Sequence, residues 1–78
     1  MIKRQERLVI TFHTTTEAMT MEQICKETGA PGRIIPVPRS ITAGCGLAWC
    51  APEESQTELL ALMEAKGVRY QAVQSCLV

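Results

Sequence analysis

The sequence has no excess of either charge. Eight Lys and Arg balance eight Asp and Glu, and they are scattered along the chain rather than blocked. That balance argues against a nucleic-acid or anionic-membrane surface as the main purpose, and the short basic cluster Lys3, Arg4 and Arg7 reads as a solvated terminus. Long apolar runs are missing as well. The stretch from Leu8 to Ile10 is far too short for a secretory signal and runs into polar Thr11 and His13. Nothing approaches the length that spans a bilayer, so the expectation is a cytoplasmic protein. There is no Cys-x-x-Cys pair, and the single histidine, His13, has no second ligand near it in sequence, so neither a metal site nor a cofactor is expected. A chain of 78 residues leaves room for one small domain over residues 1–78. Its modest core must be closely packed or supported by a partner.

Four cysteines are present: Cys25, Cys45, Cys50 and Cys76. A reducing cytosol disfavours structural bridges, so each is weighed as a thiol. Cys25 falls on an apolar helical stripe and reads as core. Cys76, close to the end of the chain, is a candidate for an accessible thiol.

The order of elements follows from periodicity and punctuation. Glu6 to His13 reads as a strand, with Leu8, Ile10 and Phe12 on one face. Thr14 and Glu17 match a capping box that opens a helix carrying Ala18, Met21, Ile24 and Cys25, and Gly29 ends it. His13 and the threonines after it sit at this strand-to-helix junction, where an anion could be received or where the threonines simply cap the helix. Arg33 to Val37 forms a second strand, confined to an edge by Pro36 and Pro38. Gly46 to Cys50 forms a third. A second helix opens at Pro52 or, by a capping box with Glu58, at Ser55, and it carries Leu59, Leu60, Leu62 and Met63 to a stop at Gly67. Val68 to about Val73 completes a fourth strand, with Ser75 to Val78 fraying or extending it. Strand, helix, strand, strand, helix, strand is the split βαβ pattern, so the expected fold is α+β and ferredoxin-like, βαββαβ, an antiparallel four-stranded sheet with both helices on one face.

Chemistry concentrates between Pro36 and Cys50, where proline, arginine, glycine and cysteine crowd together. Gly44 and Gly46 flank Cys45, giving the backbone access to positive φ and letting other groups approach the thiol. A functional thiol on a long loop is one reading. The other is an ordinary turn entering a strand, with a small side chain tucked beneath it. A long loop bearing proline and glycine in a small domain favours function.

Pro36-Val37-Pro38-Arg39 followed by Cys45-Gly46 resembles a small bacterial family of sulfur or selenium carrier-like proteins. The His-Thr-Thr turn after the first strand and the Gly67-Val68-x-Tyr70 segment after the second helix are similar too. The resemblance implies a carrier in which Cys45 holds sulfur or selenium as a persulfide or selenosulfide, with donor and acceptor proteins as partners. A carrier needs its thiolate favoured. Arg39, with Arg33 as a second source, would supply positive potential, the N–H groups beside Gly44 and Gly46 would form an anion nest, and Ser40 and Thr42 would add donors. An enzyme reading would pair Cys45 with His13 as general base, but no acid is evident to orient His13, so carriage is expected over turnover. The alternative is a non-catalytic ligand-binding or protein-interaction module pairing through its sheet, with Trp49 and the edge strand at the interface. That module predicts an inert Cys45 and a homodimer.

Overall fold

Leu8, Val9, Ile10 and Phe12 are all fully buried, and the strand that carries most of them, β1 (Glu6–Thr11), runs at the centre of an antiparallel sheet. The computed structural model describes residues 6–38 and 46–77. After β1 come α1 (Thr15–Thr28), β2 (Arg33–Pro36), β3 (Leu47–Ala51), a short 3-10 turn (Glu53–Ser55), α2 (Gln56–Lys66) and β4 (Ala72–Leu77). The strands lie in the order β2-β3-β1-β4, all neighbours antiparallel. This is the expected ferredoxin-like arrangement.

Alternation along the strands divides the sheet into two faces. Leu8 and Ile10, with Phe12 beyond them, join Trp49 and Ala51 of β3 against Ala18, Met21 and Cys25 of α1 and Leu59 and Met63 of α2. Both helices therefore cover one face. Burying each of the larger aliphatic and aromatic side chains contributes about 1.5–3 kcal/mol. Facing away from the helices, Val9, Thr11, Ala48 and Cys50 share the other surface of the sheet and are buried as well.

Capping fixes the ends of α1. Thr14 Oγ1 accepts from the Glu17 N–H at 3.2 Å, and Gly29 closes the helix at φ 74°. The Glu17 carboxylate reaches back one residue further than an ordinary capping box, accepting from the His13 N–H at 3.0 Å. Before β2, Gly32 adopts φ +118°, and a Cβ there would collide with the Trp49 indole nitrogen and lie 2.6 Å from the Cys50 carbonyl oxygen. The same indole donates to the Pro31 carbonyl at 3.1 Å, which pins this turn against β3. Trp49 is thus core, 3% exposed.

The second helix begins after Ser55, one of the two starts expected, while β1 stops at Thr11, β2 at Pro36, β3 spans Leu47–Ala51, and the cap of α2 and the start of β4 depart further. Ser55 does not form the capping box with Glu58: it sits in the 3-10 turn at φ −89°, ψ 1°, and its side chain makes no cap bond. Pro52 supplies the turn instead, its carbonyl accepting from the Ser55 N–H at 3.0 Å. The fourth strand begins at Ala72 rather than Val68. Val68 is engaged elsewhere, since its N–H donates to the Met63 carbonyl at 2.9 Å, just after Gly67 has closed α2 at φ 72°. A residue whose N–H caps a helix and whose side chain is buried in the core cannot also serve the β ladder.

Candidate functional site

The register brings one set of strand ends together. β1 pairs with β3 up to Thr11 opposite Ala48, and β2 pairs with β3 up to Pro36 opposite Leu47. One step further the Val37 N–H donates to the Gly46 carbonyl at 3.0 Å, closing the β2–β3 connection. Carrying the β1–β3 register on past Thr11 brings the chain at His13 to the same end of the sheet as Gly46. Gly67 to Tyr70, which lead into β4, lie at this end too, because Gln71 donates its N–H to the Thr11 carbonyl at 2.6 Å. The first turn of α1 starts here as well, since Thr14 follows His13 directly.

Gly46 holds φ +77°, with nothing among the described residues within 4 Å of where a Cβ would stand. The constraint is therefore conformational: only glycine takes that φ without strain. Cys45 directly precedes Gly46 in sequence and Arg39 directly follows Pro38. Cys45, Arg39, Gly44, Ser40 and Thr42 lie outside the described residues. What the structure supplies for the expected site is its frame: Val37 and Gly46 bonded to each other, Pro36 ending the edge strand, and exposed His13 on the neighbouring strand end.

The remaining thiols occupy different settings. Cys25 is buried on α1, and burial pushes its thiol above the usual value, the behaviour of a structural rather than a reactive cysteine. Cys50 is buried on β3, four residues from Gly46 and so about 13 Å along the strand. Cys76 is half-buried on β4, opposite Arg7. No three metal-binding side chains cluster among the described residues.

Two expectations change. Arg33 does not stand near Gly46: it opens β2 opposite Cys50, whereas the Gly46 end of the sheet is reached only at Val37. The anion-receiving reading of the helix terminus after His13 narrows, because the Glu17 carboxylate already takes the His13 N–H and Thr14 takes that of Glu17.

The fold and this frame define a class: a small ferredoxin-like domain with a long β2–β3 connection anchored on a glycine. A family model described as Putative Se/S carrier protein-like matches residues 7–75, and the chain belongs to that family. No curated protein matches, and no solved structure matches. No helix among the described residues is long and apolar enough to cross a membrane.

Proposed function

We propose that this protein carries sulfur or selenium on Cys45 and hands it to a partner. The family membership over residues 7–75 is the observation that carries the reading. It is supported by the burial of Cys25 and Cys50, which leaves those thiols poorly placed to meet another protein. In the sulfur case the Cys45 thiolate attacks the outer sulfur of a donor persulfide, R–S–SH. The new S–S bond gives Cys45–S–SH, the donor S–S bond breaks, and R–S⁻ leaves with the electron pair, so no external oxidant or reductant is needed. A donor R–S–SeH would give the selenosulfide in the same way. Delivery repeats the exchange, with an acceptor nucleophile attacking the outer atom and Cys45 leaving as thiolate. Arg39 would stabilise the anionic forms, and N–H groups beside Gly44 and Gly46 would hold the outer atom.

His13 belongs to this proposal as a titratable side chain at the Gly46 end of the sheet, where it would shuttle the proton gained or lost by the persulfide. The proposed setting is the cytoplasm, where a reducing pool keeps the donor and acceptor thiols from being locked into disulfides.

Intact mass with and without reductant, after incubation with a small-molecule persulfide donor, tests the reading. The parent should gain one sulfur mass, removable by reductant, and Cys45→Ser should gain none. Equal gain on both, or none on the parent, would sink carriage by Cys45 and turn attention to an interaction module.

A further inference from the structure

Away from the Gly46 end, the sheet holds a second feature. A cleft of about 340 Å³ is lined by Arg7, Gly32, Arg33, Cys50 and Pro52, among others. The register explains why these residues meet. Arg33 lies directly opposite Cys50, and Val9 lies opposite Cys50 on the other side. Arg7 is two residues before Val9 on the same face, hence diagonal to Cys50 at about 7–8 Å. The two arginines therefore straddle the Cys50 position from strands on either side of it.

The charges in this cleft are unbalanced. Among the described residues its lining contains no carboxylate, and neither Arg7 nor Arg33 has an ion pair. Two guanidiniums directed at one concavity repel each other unless an anion or solvent lies between them. Gly32 leaves one side of the cleft without a side chain, and the bond from the Trp49 indole to Pro31 keeps that wall in place. Pro31, Ala51 and Pro52 make the remaining walls apolar.

We propose that this cleft binds a small organic anion through an oxyanion head group, carboxylate or phosphate, gripped between Arg7 and Arg33. A guanidinium fork matches either head group in two-point geometry, and a cleft of about 340 Å³ has room for a small apolar body beside the head group. The cleft stands apart from the Gly46 end of the sheet, since Gly46 precedes β3 and Cys50 lies toward its far end.

Backbone amide chemical shifts, followed while the full-length protein is titrated at constant ionic strength with inorganic phosphate, sulfate or acetate, give the test. Saturable shifts at the amides of Arg7, Arg33 and Cys50 are expected, with the tetrahedral and planar anions distinguishing a phosphate-type from a carboxylate-type site. Arg33→Gln and Arg7→Gln should each raise the dissociation constant at least tenfold while leaving sulfur loading of Cys45 unchanged. Shifts that grow linearly without saturating for all three anions, or saturation unchanged in both variants, would overturn the proposal. Loading lost in Cys45→Ser with phosphate binding retained would show the two sites to be independent.

Discussion

Replacing Gly32 by alanine should be the most damaging substitution among the described glycines, because at that position two separate penalties coincide. Gly32 holds φ +118°, a backbone region in which an L side chain is strained, at a cost of about 1–3 kcal/mol. The added Cβ would also press on the Trp49 indole nitrogen and on the Cys50 carbonyl oxygen. Neither neighbour yields easily, as one is backbone in the middle of the sheet and the other donates to Pro31 at 3.1 Å. Losing that hydrogen bond adds about 1 kcal/mol, for a total of about 2–4 kcal/mol. At Gly29 and Gly67 the conformation is left-handed, but a Cβ would meet nothing among the described residues within 4 Å. Only the conformational term of about 1–2 kcal/mol applies there. Since a domain of 78 residues is expected to be stable by about 4–12 kcal/mol, the difference is measurable. Urea denaturation followed by Trp49 fluorescence and far-ultraviolet dichroism would show the midpoint of Gly32→Ala falling by about 2 M or more, at a slope near 1 kcal/mol/M. A Gly32→Ala midpoint at or above that of Gly29→Ala would refute the close approach of this turn to β3.

The caps of the two helices predict an asymmetry. Thr14→Ala removes a side-chain acceptor and should cost about 1 kcal/mol in urea denaturation, whereas Ser55→Ala, which removes no cap bond, should stay within about 0.5 kcal/mol of the parent. Cys25 predicts a pH dependence. Burial raises its thiol above the ordinary 9.0, so the unfolded chain gives up this proton first, and the resulting stabilisation, complete below that value, is lost as pH rises through the folded value. Subtracting the stability profile of Cys25→Ala from that of the parent, from about pH 8 to about pH 10.5, should show this loss; a flat difference would contradict it.

Local signals were readable where a residue acts on its immediate neighbours. Thr14 with Glu17, and the stops at Gly29 and Gly67, mark helix ends in the sequence because a cap spans only a few positions. The division of β1 into alternating faces is legible for the same reason. Ser55 misleads, since Pro52 offers a competing turn and the sequence does not say which one wins. The start of β4 was hidden because Val68 is as apolar as a strand residue but is committed to closing α2. For the site, Gly46 could be singled out from sequence, and its φ of +77° agrees. The pairing of Arg7 and Arg33 around Cys50 could not be found that way. It depends on the registers of two strand pairs, which no single segment of the sequence displays.

The central position of β1 has a bearing on how the sheet is assembled. Its partner β4 comes last in the sequence, with the hydrogen-bonded residues Thr11 and Ala72 separated by 61 positions. Such distant pairing costs loop entropy before it returns any contact, and it slows folding relative to a chain with local pairing. On a ribosome, β1 would emerge before β4 and wait with one side unpaired until the 61 positions that separate Thr11 from Ala72 had been made. During that interval a strand bearing the buried Leu8, Val9 and Ile10 is an edge, open to pairing with another chain. A truncation that removes β4 would make this exposure permanent, so such a fragment is expected to aggregate rather than to persist as a smaller domain.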